Sequence, residues 1–241
     1  MKLSIIVPVF NEEKTIVSVL EKLLELTFPT ATQREIVIVD DGSKDKTVGK
    51  IKEFLEKHKK DGVFLFQHAK NAGKGQAIRT GVEKANGEYI IIQDADLEYN
   101  PKDIVRLFQE VLDKKAEVVY GTRLKRLPHF EKEERTGRFL LHYAGNKLLS
   151  LITSALYGQW ITDMETCYKL FPKKAVVHMD LRAKGFEFEP EITAKLIKEG
   201  YKIHEIPIQT KPRGYTEGKK LNTFRDGKKA LWTLLLYRFS K

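Results

Sequence analysis

Two aspartates flank one small residue in Asp94-Ala95-Asp96, just after the apolar run Tyr89–Gln93. In extended backbone, residues i and i+2 point to the same side, so both carboxylates can face one ion. Hard divalent cations prefer carboxylate oxygens, and Mg²⁺ commonly shares its shell with substrate phosphates. The chemistry on offer is metal-assisted handling of a phosphorylated ligand. A solvated turn has the same composition, so the tripeptide alone leaves both readings open. A second acidic pair, Asp40-Asp41-Gly42-Ser43, ends another apolar run. One of its aspartates can accept hydrogen bonds from a nucleobase or ribose, whereas Ser43 or Asp45 can cap the next helix. Adjacent buried carboxylates repel, which predicts that one of them points at a ligand or a donor group. Asn71-Ala72-Gly73-Lys74-Gly75 opens a further helix. Glycines let backbone amides approach a phosphate, and a helix N-terminus favours negative charge. A plain turn and cap is the alternative, and the spacing departs from the P-loop of ATPases.

The elements that must position these groups alternate strand and helix. Leu3–Val9, Glu35–Val39, Val63–Phe66, Tyr89–Gln93 and Glu117–Tyr120 read as strands. Glu12–Leu26, with Asn11 as its cap, Asp45–His58, Lys74–Ala85 and Pro101–Leu112 read as helices between them. Repeated strand–helix units imply an α/β fold, a doubly wound, mostly parallel, Rossmann-like sheet flanked by helices. Ligands bind beyond the carboxyl ends of such strands, and all three polar motifs fall there. After Arg123 the pattern changes. Residues 124–136 form a charged loop and Gly137–Tyr157 an apolar helix. Gly185–Ile208 reads as strand, helix from Pro190, and strand. Lys211–Leu221 is a basic loop and Thr223–Phe239 a final helix. We divide the chain into a catalytic domain, 1–222, with halves 1–123 and 124–222, and a C-terminal amphipathic helix, 223–241.

The chain has 241 residues, 41 % hydrophobic and 32 % charged, enough for a sizeable core without staples. Lys and Arg number 43 against 33 Asp and Glu, a net charge of +10 that suits phosphate ligands, nucleic acid or an anionic membrane surface. No nucleic-acid motif and no interleaving of aromatic with basic residues supports a nucleic-acid partner. Cys167 is the single cysteine, so no disulfide forms within the chain, which fits a reducing, cytoplasmic compartment. The first ten residues are too short an apolar stretch for a signal peptide, and Asn11-Glu12-Glu13 stands where a cleavage site belongs. No segment has the length and apolarity of a membrane span. Ala230–Tyr237 is apolar and flanked by Lys228, Lys229, Arg238 and Lys241, a pattern suited to lying in a membrane interface. Leu140–Tyr157 can add a second such surface; packing on the sheet or on another copy is the alternative for both.

Taken in order, Pro8-Val9-Phe10-Asn11-Glu12, Val39–Ser43, Asn71–Gly75, Asp94–Asp96 and Gly121-Thr122-Arg123 resemble the family 2 glycosyltransferases of the GT-A fold. Gly145-Asn146-Lys147, Thr162–Lys169, Phe186–Glu191 and the basic loop around Arg213 are similar to the polyprenyl (dolichyl) phosphate hexosyltransferases of that family. The resemblance implies that Pro8, Val9, Asn11, Glu12 and Asp41 line a base and ribose pocket, with Lys74 near the nucleotide. It implies that Asp94, Ala95 and Asp96 meet the donor, the two aspartates holding Mg²⁺ or Mn²⁺. Arg123, Arg213 and Lys219 would meet phosphate oxygens, and Asp163 and Glu189 would face the sugar or acceptor. Asp96, Asp163 and Arg123 are then the catalytic candidates. The implied reaction is an inverting transfer of hexose from a UDP- or GDP-sugar to a polyprenyl phosphate, by a protein peripheral to the cytoplasmic membrane face. A lipid phosphate is already anionic and needs no strong base. A saccharide hydroxyl, the alternative acceptor, needs a carboxylate base, for which Asp163 is the candidate.

Overall fold

The aliphatic runs become the strands of one sheet. The computed structural model describes residues 1–29, 32–123, 137–211 and 223–240. Strand β1 (Lys2–Val9) is buried on both faces along all but its first residue, which is why it lacks polar alternation. It pairs in parallel with β2 (Gln33–Asp40) on one side and β4 (Tyr89–Ile92) on the other, and β2 pairs in parallel with β3 (Val63–Gln67). The strand order is β3-β2-β1-β4-β6-β5-β7, with β5 at Val118–Thr122, β6 at Lys169–Pro172 and β7 at Ile203–Pro207. The winding reverses between β1 and β4, the switch point at which open α/β sheets form a ligand crevice.

The connecting helices bury one stripe each. Helix α1 (Ile16–Leu24) buries Ile16, Val19, Leu20 and Leu23, at the spacing of one helical face. Helix α2 is Thr47–Lys57, α3 is Lys74–Lys84, and α4 (Lys102–Leu112) follows Pro101. Thr15, not Asn11, precedes the first turn of α1, so the expected cap does not form there.

Beyond Arg123 the sequence expectations were coarser. β6 falls in no expected strand; it runs antiparallel between β4 and β5, making the sheet mixed. No strand forms at Gly185. The segment turns directly into α7 (Phe188–Lys198), while the short α6 (Lys173–Val176) precedes it. Helices α5 (Gly137–Tyr157) and α8 (Thr223–Phe239) pack together, and α8 also packs on α7. Ala230 and Leu234 form the seat of α8, and the Tyr157 hydroxyl donates to the Leu234 carbonyl at 2.7 Å. Trp232, Leu236 and Phe239 form the opposite, exposed stripe, and Leu141, Leu148 and Leu151 of α5 are exposed too. Among the described residues, no helix is long and apolar enough to cross a membrane.

Candidate active site

A cavity of about 480 Å³ opens at the carboxyl ends of β1, β2 and β4. Pro8, Val9, Glu12 and Asp41 line it, and so do Lys74, Asp94, Ala95 and Asp96. Arg123 and Glu189 border it as well. Two non-glycine residues on this rim take left-handed backbone, Asn11 (φ 51°) after β1 and Leu97 (φ 63°) after Asp96. Such conformations cost energy and gather where a chain must turn sharply at a functional edge.

The two aspartates of the central motif lie in the turn after β4, not in extended strand. They reach one cavity through that turn rather than by strand alternation. Asp96 is anchored by the Glu98 amide, which donates to its Oδ1 at 3.0 Å. Asp94 already holds a cation: the Lys74 ammonium lies 2.7 Å from its Oδ1. Burial alone would depress Lys74, but the charges of Asp94 and Glu189 outweigh it and hold its pKa well above the ordinary value. Among the described residues no group of three or more His, Cys, Asp or Glu side chains is arranged to hold a metal ion. Asp94, which already accepts a cation, and Asp96 offer two hard oxygen donors to the cavity, a set that suits a divalent ion completing its shell with ligand phosphate oxygens.

Other expected donor residues serve the architecture of the rim. Asn11 does not line the cavity; its side-chain oxygen accepts the Lys44 amide at 2.8 Å and its own amide donates to Ser43 Oγ. It straps the β1 turn to the β2 turn. Asp41 is 3 % exposed and accepts from the amides of Ala72 and Gly73, while its Oδ1 also meets His68 Nδ1 at 2.7 Å. The adjacent acids thus separate as expected: Asp41 faces donors on the α3 loop, and Asp40 accepts the Ser43 amide. The glycines of Gly73-Lys74-Gly75 make room for backbone. A Cβ on Gly73 (φ 101°) would lie 2.2 Å from the Lys184 carbonyl oxygen, and one on Gly75 2.7 Å from that of Ala183. The Gln76 amide donates to Lys184, so the α3 N-terminus is already partly capped by the 183–185 loop.

Asp163 is fully buried and lies outside the cavity lining. Arg123 grips it through Nε, Nη2 and its backbone amide, at 2.8, 2.8 and 2.9 Å. Burial would raise this carboxyl, but the Arg123 charge and these hydrogen bonds hold it below the usual range. A carboxylate so engaged is a poor base, and the geometry makes it the residue that aims Arg123 into the cavity. Glu189 is placed between two lysines, with Lys169 Nζ at 2.7 Å and Lys74 Nζ at 3.7 Å. Arg213 and Lys219 lie outside the described residues.

Sequence reasoning missed Glu165 and Lys169. Glu165 lines the cavity beside Arg123, and burial pushes its carboxyl up to about 7. Lys169 is fully buried. Its signal was available, because a lone lysine beside Leu170-Phe171 in an apolar run requires a partner. Glu165 had none, being the second of two acids in a turn. A separate apolar groove of about 440 Å³ runs between α5 and α8 and shares Arg123, Glu165, Phe186 and Asp226 with the first cavity.

The sequence matches the model of glycosyl transferase family 2 over residues 4–179. It is 32 % identical to the UDP-N-acetylglucosamine–dolichyl-phosphate N-acetylglucosaminyltransferase of Methanococcus voltae, across 98 % of this chain and 96 % of that one. It is 30 % identical to the dolichyl-phosphate beta-glucosyltransferase ALG5D of Trichomonas vaginalis, across 86 % of this chain and 64 % of that protein. Among solved structures, glucosyl-3-phosphoglycerate synthase from Mycobacterium tuberculosis, in complex with Mn²⁺, UDP and phosphoglyceric acid, superposes with a TM-score of 0.72. That match covers 100 % of this chain and 79 % of that one at 18 % identity, so what the two share is the fold.

Proposed function

This chain belongs to glycosyl transferase family 2, and from that premise we propose that it moves a hexose from a UDP-linked donor to a polyprenyl or dolichyl phosphate at a membrane surface. The observation that carries this reading is the junction of a polar cavity with an apolar groove at Arg123 and Glu165. A phosphate joined to a long hydrocarbon has this two-part chemistry. Both relatives are named for dolichyl phosphate, and one for a UDP-sugar.

Asp94 and Asp96 would hold a divalent ion, Mg²⁺ or Mn²⁺, which when bound supplies positive charge against the diphosphate of the donor. Pro8, Val9 and Glu12 line the part of the cavity where base and ribose would sit, beside an Asp41 whose carboxylate is already held by the Ala72 and Gly73 amides. Lys74 lies between Asp94 and Glu189, where it can follow the donor's charge as the sugar–phosphate bond breaks. Arg123, fixed in aim by Asp163, offers its remaining N–H groups to the acceptor phosphate. The acceptor oxygen attacks the anomeric carbon from the face opposite the leaving diphosphate, giving inversion. Trp232, Leu236 and Phe239, with Lys228, Lys229 and Arg238 around them, form a surface suited to an anionic bilayer. Peripheral membrane contact is part of the proposal.

Incubation with labelled UDP-glucose, UDP-N-acetylglucosamine and GDP-mannose, polyprenyl phosphate and Mn²⁺ tests it. Organic-extractable label from a UDP-sugar is the expected result. No extractable label from any donor sinks the lipid acceptor, and label from GDP-mannose alone corrects the base.

A further inference from the structure

We propose that Glu165 is the proton partner of the acceptor: its carboxyl takes the proton from a monoanionic phosphate monoester and leaves the dianion as nucleophile. The inference rests on the lipid-phosphate reading above and adds the residue that manages the acceptor's charge.

Three observations converge on this side chain. Glu165 belongs to the lining of both cavities, at the place where an acceptor headgroup would pass from groove to donor. Its Oε1 is buried and makes no hydrogen bond among the described residues, whereas Asp163 is held by Arg123 and Glu189 by Lys169 through Oε2. A carboxylate with one unsupported oxygen gains by holding a proton. Burial is the largest influence on its titration, Lys169 and Arg123 oppose it, and Glu189 and Asp163 reinforce it, leaving a value of about 7. From α8, Asp226 and Lys228 face the same groove, while among the described residues α5 contributes apolar side chains, Gly145 and Asn146 to its lining.

A phosphate monoester has a second pKa of about 6, so carboxyl and phosphate are matched to share one proton near neutrality. The phosphate O–H proton passes to Glu165, and the freed oxygen forms a bond to the anomeric carbon. The bond from that carbon to the diphosphate breaks, and the nucleoside diphosphate leaves with the electron pair. Glu165 then returns its proton to solvent once the phosphodiester departs. With Glu165 neutral, a dianion approaches Arg123 without meeting a second uncompensated carboxylate.

The test is kcat/KM for a short-chain polyprenyl phosphate against pH, for wild type and Glu165→Gln, with UDP and Mn²⁺ binding measured alongside. Wild type should give a bell that rises through about pH 6 and falls above about pH 7, because productive encounter needs one proton on the pair. Glutamine stays neutral, so Glu165→Gln should keep the acid limb and lose the alkaline one. At about pH 8.5 the variant should exceed wild type by about thirtyfold, the gap expected about 1.5 pH units past a single titration. Glu165→Ala, also neutral, should lose the alkaline limb too, which guards against one variant folding poorly. A variant inactive at every pH with UDP binding intact would overturn the proposal, pointing to a general base for a hydroxyl. An unchanged bell would also overturn it. Wild type inactive toward polyprenyl phosphate with every donor is a different failure, that of the lipid-phosphate premise.

Discussion

The two ends of the proposed reaction centre are made differently. The donor end is a rim of short loops at strand ends, where polar groups hold one another in place: Asp41 on the Ala72 and Gly73 amides, Asn11 on Lys44, Lys74 on Asp94. The proposed acceptor end is the space between two helices, α5 and α8, lined mostly by apolar side chains and sharing Arg123 and Glu165 with the donor cavity. A nucleotide diphosphate needs fixed donors and charges at set distances, and short loops on a rigid sheet supply them. A hydrocarbon chain needs area without direction, and helix faces supply that. Substitutions on the first should therefore act in large steps on chemistry, and those on the second in small steps on affinity.

The largest step is expected at Asp96. Asp96→Ala removes half of the carboxylate pair and should lower kcat/KM by about 10³ or more, as loss of charge stabilisation at the leaving group does. Loss of the Glu98 amide contact costs folding about 1 kcal/mol. Vesicle binding should be unchanged. Activity near wild type in Mg²⁺ or Mn²⁺ would remove the metal from the donor end.

Arg123 stands where the two ends meet, so its loss should register on both stability and rate. Arg123→Ala leaves Asp163, fully buried, without its cation, at a cost of about 3–5 kcal/mol measured by denaturant titration. Transfer should fall by about a hundredfold through loss of the phosphate contact. The sign with pH follows from Asp163, whose carboxyl is held low in the folded state. Its pairing stabilises fully above the unfolded value of about 4 and is lost as pH falls through the folded value. The gap between wild type and variant should therefore narrow in acid. A gap independent of pH would separate the stability of the fold from this pair.

How much of this was legible follows the same division. The donor end announces itself, because each loop must carry particular residue types next to an apolar run, and β1, β2 and β4 frame them unmistakably. Even there, roles moved. Asp163 read as a possible base, yet it is spent on Arg123, while Glu165 two residues on lines the cavity. Within a turn, spacing does not say which of two acids faces inward. Gly73 and Gly75 read as room for phosphate, yet the room is taken by the Lys184 and Ala183 carbonyls, a contact between segments over a hundred residues apart in sequence. β6 escaped because it has four residues, one of them a lysine, and owes its conformation to β4 and β5 on either side. The helices α5 and α8 were plain from their apolar length, but not the groove between them, which depends on how their faces meet.

A smaller effect is expected on the apolar side. Trp232 and Phe239 are 68 % and 78 % exposed on one stripe of α8. Replacing both with serine should weaken partition onto anionic vesicles by about tenfold, the change expected if the two rings, shallowly inserted, together contribute about 1.5 kcal/mol. UDP binding should not change. Equal partition of the folded variant would assign the stripe to another surface.

The smallest change probes whether the two ends are independent at all. Tyr237, on α8, donates to Glu191 Oε1 at 2.6 Å, and Glu191 is fully buried. The same carboxylate accepts the amides of Arg182 and Ala183, at the start of the loop whose carbonyls sit against Gly73 and Gly75. The C-terminal helix is therefore two hydrogen bonds away from the 182–185 loop, which packs on the glycines flanking Lys74 at the start of α3. Tyr237→Phe deletes one hydrogen bond to a charged group, about 1.5–3 kcal/mol if borne by one state and less if shared. If the seating of α8 supports the donor loop, the KM for the nucleotide sugar should rise by about two- to fivefold with kcat unchanged, because uniform binding is what is lost. A variant altered only in vesicle partition would leave the two ends separate. A rise in donor KM would make α8 part of both, so that the helix facing the acceptor also steadies the donor.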